Sequence, residues 1–202
     1  AVVGTRSMTD FGHKLTVEIA GELAAAGVTI VSGMASGIDT AAHEGALKSD
    51  GFTVAVWGGG LLKLFPAQNA RLAQTIAEKG LILTEYPPET HATRFTFPAR
   101  NRLVSGLCDG VFIAEAKERS GALITAKYAQ EQGRIVFVAM TDYSRTGANE
   151  LCELIGKGAI PVTNAQNILK TLNASLKIKL KIPEAPKQEP KPNPEHESSD
   201  PV

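Results

Sequence analysis

Short runs of apolar, often β-branched residues recur along this chain, and between them lie segments whose apolar residues return every three or four positions. The runs are residues 28–31 (VTIV), 53–57 (TVAVW), 81–84 (LILT), 110–114 (GVFIA) and 134–138 (RIVFV). They carry apolar side chains toward both faces, as strands covered by helices on both sides do. Residues 12–26, 39–49, 69–79 and 120–132 carry the helical spacing. Strand, helix and strand repeated in this order join through right-handed crossovers and build a mostly parallel sheet. The expected fold is therefore α/β, a Rossmann-like domain over residues 1–172 with helices on both faces.

The two ends read differently. Ala1-Val2-Val3 runs directly into Gly4 without the regions of a signal peptide, and it reads as the end of a further strand whose start is missing, so a fragment is expected. Residues 173–202 are read as a Pro/Lys/Glu-rich disordered tail, because six of the 11 prolines fall there with little apolar surface to offset the entropy of ordering. No hydrophobic run is long enough for a membrane span. With 21 basic and 21 acidic residues the net charge is zero, so an anion site has to come from a local cluster. Cys108 and Cys152 show no metal spacing and fit a reducing, cytoplasmic compartment; neither a metal nor a cofactor is expected.

In an open parallel sheet ligands bind where strands end, because glycine turns and helix N-termini present free N–H groups there. Four such loops are expected to converge: residues 4–7 (GTRS), 32–39 (SGMASGID), 58–60 (GGG) and 115–121 (EAKERSG). The dinucleotide fingerprint G-x-G-x-x-G does not follow the first strand, which disfavours a nicotinamide-dependent dehydrogenase. Asp39 reads as a helix N-cap and His43 as structural. Glu115 and Glu118, flanked by Lys117 and Arg119, read as ion-paired structural acids.

The richest segment is 94–102 (RFTFPARNR). Three arginines offer cations to phosphates, an Asn offers an amide, and two Phe offer faces for stacking, which is the equipment of a single-stranded nucleic-acid site. A helix is expected from Leu103 into the core, with the arginines in the preceding loop and first turn.

Taken together, Gly4-Thr5-Arg6, the S-G-x-A-x-G-I-D segment from Ser32 to Asp39, Phe97-Pro98-x-Arg100-Asn101-Arg102-x-x-Ser105-Gly106-Leu107 and Ser120-Gly121-x-Leu123-Ile124-Thr125-Ala126 resemble the DNA-processing protein A (DprA/Smf) family over about residues 1–170. The resemblance implies an extended Rossmann core that binds single-stranded DNA, protects incoming DNA and loads the RecA recombinase in natural transformation, as a homodimer and without catalytic activity. The DNA-binding residues it implies are Arg6, Ser32, Gly33, Arg94, Phe97, Arg100, Asn101 and Arg102. Ser36 stands where the family often has a basic residue, and Met140-Thr141 replaces its Pro-Gly. The N-terminal helical and C-terminal winged-helix domains of many relatives are not recognisable in this sequence.

A second function class stays open beside this one: a nucleotide-binding or nucleotide-hydrolysing enzyme or sensor similar to the lysine-decarboxylase-like phosphoribohydrolases. Those carry P-G-G-x-G-T-x-x-E, whereas Gly58-Gly59-Gly60-Leu61-Leu62-Lys63 has neither the Thr nor the Glu. For a dimer contact, Leu151, Leu154, Ile155, Ile160, Ile168 and Leu169 are the apolar candidates.

Overall fold

The computed structural model describes residues 1–118, 120–140, 147–180 and 182. Its elements run β1 (Val2–Val3), α1 (Asp10–Ala25), β2 (Ile30–Ser32), α2 (Ile38–Lys48), β3 (Thr53–Val56), α3 (Ala70–Lys79), β4 (Leu81–Leu83), α4 (Thr96–Gly106), β5 (Gly110–Ile113), α5 (Gly121–Glu131), β6 (Ile135–Ala139), α6 (Ala148–Gly156), β7 (Ile160–Val162) and α7 (Ala165–Leu176). Every strand pair is parallel. The strands form two sheets, ordered β1-β5-β6-β7 and β2-β3-β4. β1 ladders onto β5 and not onto β2, and the Ser32 hydroxyl joins the two sheets there by donating to the Val2 carbonyl at 2.7 Å. Helices flank the sheets, α1 against α2 and α7, and α4 against α5.

Two strands, β2 and β6, begin later than the sequence suggests, and one physical reason covers both. At the end of α1, Gly27 takes φ +88°; its N–H bonds to Ala24 O at 2.9 Å and that of Val28 to Leu23 O at 3.0 Å. The same pair of bonds closes α5 around Gly133 and α6 around Gly158, both at positive φ. This left-handed cap satisfies carbonyls that the helix leaves open and ties down the next residue, so β2 begins at Ile30 and β6 at Ile135.

The largest difference is in α4, which begins at Thr96 and not at Leu103. Its start is fixed reciprocally: Thr93 Oγ1 accepts from the Thr96 N–H at 3.2 Å, and Thr96 Oγ1 from the Thr93 N–H at 2.8 Å. Pro98 is tolerated in the first turn, where its N–H has no intrahelical partner to lose. The elements α6, β7 and α7 carry the six apolar residues named above as dimer candidates. β7 pairs with β6 alone, as suits an edge strand containing Pro161.

Phe112, Phe137, Ile113 and Val138, on β5 and β6, are at most 2% exposed and fill the core together with Ile19 of α1. The helix α7 runs on to Leu176, and Asn173 clamps Leu180 by accepting from its N–H at 2.7 Å and donating to its carbonyl at 3.2 Å. Residues 183–202 of the expected tail, like Arg119 and Thr141, lie outside the described residues. Among the described residues no helix is long and apolar enough to cross a membrane.

Strand β1 leads through α1 to β2, which lies against it at the near edge of the other sheet, whereas its hydrogen-bonded neighbour β5 leads through α5 to β6 on the opposite side. The chain's winding reverses between β1 and β5, and at such a point the loops diverge and leave a crevice at the carboxyl ends of the strands.

Candidate functional site

The crevice is a cleft of about 610 Å³ whose lining includes Gly4, Thr5 and Arg6 after β1, Gly33 and Ala35 after β2, residues 92–94 and 97–98 with Arg100 and Asn101 around the start of α4, and Lys117, Glu118, Ser120 and Gly121 after β5. Its first loop is held at both ends. The Thr5 N–H donates to Glu115 O at 2.9 Å, and the Thr5 carbonyl accepts from the Ile38 N–H at 3.2 Å. Glu115 does not face the cleft with a free carboxylate: Oε2 accepts from the Thr9 N–H at 2.9 Å and Oε1 from the Thr9 hydroxyl, while Thr9 itself caps α1. That carboxylate neutralises the start of α1 and fixes the arc carrying Arg6.

Phe97 is the centre of the cleft. The Arg6 guanidinium lies over its ring, 4.7 Å from the centroid, and that of Arg100 lies at 5.7 Å. Phe65 meets it at 5.8 Å with the rings tilted by 59°. Behind it, Gly58 presses so closely that an added Cβ would lie 3.0 Å from Phe97 Cδ1. The triple-glycine turn therefore seats Phe97 and, through Gly60, whose N–H bonds to Thr90 O at 2.8 Å, the loop before α4.

Arg100 is 2% exposed, and its Nη1 donates to Gly33 O at 2.7 Å and to Val56 O. It braces the ends of β2 and β3 from inside the cleft wall. Asp39 is buried beside it; it lies in the first turn of α2, whose N-cap position is taken by Gly37, and Oδ2 accepts from the Ala35 N–H at 3.3 Å. Burial pushes the Asp39 carboxyl above the usual range, against the opposing pull of Arg100, the Ala35 N–H, Ser32 and Arg6. Burial lowers Arg100 to about 10, so it keeps its charge at neutral pH. Gly33 sits between the two: an added Cβ would come within 2.6 Å of Asp39 Oδ2 and 2.7 Å of Arg100 Nη2, which only glycine avoids.

The remaining candidates separate. Arg6 and Arg94 are exposed at the cleft, and Asn101 lines it while donating to Gly121 O at 3.1 Å. Ser32 is fully buried and occupied with Val2 O, so it shapes the loop and does not line the cleft. Arg102 turns away and pairs with Glu85 after β4. Residues 100, 101 and 102 are neighbours in sequence, but a helix turns about 100° per residue and spreads them over three directions. His43 is fully buried; Thr53 donates its hydroxyl to Ile30 O and so accepts from His43 Nδ1–H at 2.7 Å. Ser36 is engaged by Gln68 Nε2 at 2.7 Å.

Three contributors are not among the site residues expected from the sequence, although two of them lie in the 115–121 loop expected at this edge. Phe65, half-exposed, comes from the loop after β3, far from the cluster at 94–102. Lys117 lines the cleft from the β5 loop. Ser120, at the N-cap of α5, has a buried hydroxyl with no partner among the described residues, and that helix starts without a side-chain cap. A helix start directly after the strand at the winding reversal was the signal for this last group.

The description "DNA recombination-mediator protein A" belongs to the family whose model matches residues 1–173. This chain belongs to that family. Within the DNA recombination-mediator protein A family it is 46% identical over 170 residues to the DNA processing protein DprA of Streptococcus pneumoniae, covering 84% of this chain and 60% of that one. With the DNA processing protein DprA of Bacillus subtilis it shares 40% over 171 residues, 85% of this chain and 58% of the relative. It thus spans somewhat more than half the length of either. A solved structure concerning the single-stranded DNA binding mode of DNA processing protein A from Helicobacter pylori aligns at a TM-score of 0.77 and 37% identity, covering 86% of this chain and 79% of that one.

Proposed function

We propose that this chain binds single-stranded DNA in the cleft between β1 and β5 and serves as a recombination mediator. Arg6, Arg94 and Lys117 take phosphates, helped by the uncapped start of α5 and the Ser120 hydroxyl, while Phe97 and Phe65 offer apolar ring surface to bases. The observation that carries this reading is the cluster in which Arg6 covers Phe97 beside Phe65 at the mouth of the sheet. Cations beside aromatic rings suit a strand whose bases are unpaired and free to turn outward; in a duplex they are stacked inside. The single-stranded DNA binding named for the Helicobacter pylori relative supports the same reading.

In the cell this activity protects incoming DNA and passes it to RecA during natural transformation, in the cytoplasm, by a homodimer. A binding role is favoured over nucleotide hydrolysis because Glu115 spends both carboxylate oxygens on Thr9, and Asp39 is enclosed beside Arg100. The test is a fluorescence-anisotropy titration with single-stranded and duplex DNA of equal length at two salt concentrations. Tighter binding of the single strand is expected, with log K falling by about 0.7 per log unit of salt for each phosphate neutralised. Equal affinity for duplex, or no salt dependence, would overturn it.

A further inference from the structure

Phe95 is 70% exposed, more than any other large hydrophobic residue among those described, and it is not loose. Its N–H donates to Thr93 Oγ1 at 3.2 Å, within the reciprocal pair that starts α4. The Arg94 guanidinium lies over one face of its ring, 4.7 Å from the centroid. Phe95 and Phe97 are two positions apart at the start of one helix, which sets them about 200° apart, on nearly opposite sides. The two rings therefore cannot share a base. Phe95 is absent from the lining of the cleft, while its partner Arg94 belongs to it.

We infer that Phe95 is a second stacking site, outside the cleft, for the base of the nucleotide that leaves it past Arg94. Resting on the single-stranded DNA reading above, the inference adds where the strand goes. Arg94 holds one face of the ring and leaves the other open; a cation behind an aromatic ring favours an electron-rich flat group in front, and its second role toward the backbone phosphate sets that group's register. The ligand is a nucleobase in an unpaired strand, of any sequence, because every base has a stacking face.

Anisotropy titrations of wild type, Phe95→Leu and Phe95→Trp test this with two single strands of equal length, one of thymidylates and one with abasic residues outside a short central run of thymidylates. Exposure of the side chain makes both variants safe for folding, which a thermal melt checks. Phe95→Leu is expected to weaken binding of the full thymidylate strand by about 10-fold, to leave the partly abasic strand unchanged, and to be rescued by Phe95→Trp. Equal binding of the full strand by Phe95→Leu and wild type overturns the inference while leaving the cleft reading intact. An equal loss on both strands also overturns it, since the side chain then acts without a base. If wild type binds neither strand, the single-stranded DNA reading itself fails and this site falls with it.

Discussion

Two arginines beside the same ring are expected to respond in opposite ways to removal. Arg6 is exposed, so Arg6→Ala should leave the melting temperature unchanged and reduce the slope of log K against log salt by about 0.7, one phosphate's worth. Arg100 is enclosed beside Asp39, and Arg100→Ala should cost about 3–5 kcal/mol in a urea titration, because it strands a buried carboxyl and two strand-end carbonyls. His43 supplies a pH dependence. Burial chiefly, with Arg100 adding to it, drops its imidazole from 6.5 to about 3, so between those values the folded state holds fewer protons than the unfolded one. Its contribution is whole above 6.5 and is lost as the pH falls through that window. Between pH 7.5 and pH 5 the loss is about 2 kcal/mol, and His43→Asn, which keeps the donor to Thr53 without a group that titrates, should lack this component in urea melts at the two pH values.

Helix endings decide how the elements meet, and they can be probed where no function interferes. At Gly133 an added Cβ would touch nothing within 4 Å, so Gly133→Ala measures only the cost of φ +67°. A loss of about 1–2 kcal/mol in thermal or urea melts is expected, with DNA affinity unchanged. Helix α4 illustrates a limit of local reading. Its sequence begins with residues that look like a loop, because the Thr93–Thr96 exchange that nucleates it uses ordinary threonines and a proline follows in the first turn. Once the helix starts at Thr96, adjacent arginines acquire separate tasks: one braces the strand ends and another pairs with Glu85. Arg102→Ala is accordingly expected to leave both the affinity for single strands and its salt slope within error of wild type, measured by the same anisotropy titration.

The surface left for the proposed homodimer is small. Of the six apolar residues proposed for a dimer contact, Leu151, Leu154, Ile168 and Leu169 are at most 5% exposed and belong to the core, whereas Ile155 and Ile160 are 37% and 36% exposed. A homodimer is expected to use those two. Light scattering at tens of micromolar should show a dimer for wild type and a monomer with an unchanged melting temperature for Ile155→Asp, while deletion of residues 183–202 should leave the dimer in place. Two clefts on one dimer would let a single long strand occupy both, raising its affinity above that of a strand too short to bridge them.

The alternation of strand runs with helical spacing was enough to establish a parallel α/β chain, since burial on both faces of a strand and one face of a helix leaves distinct periodicities in any window of the sequence. The glycine turns after the strands were legible for a related reason: a backbone that must pass close to its neighbours, as Gly33 does between Asp39 and Arg100, admits no side chain. Which residue does what at the cleft was not legible. The Gly58 turn, Phe65 and Phe97 approach one another only when β3 and α4 are set side by side, and the burial that turns Arg100 into a brace depends on β2 and β3 ending at the same level. Sequence fixes the chemical type of a side chain, whereas its exposure and its partners are properties of the folded packing, and those separate a cation held for structure from one left open to a phosphate.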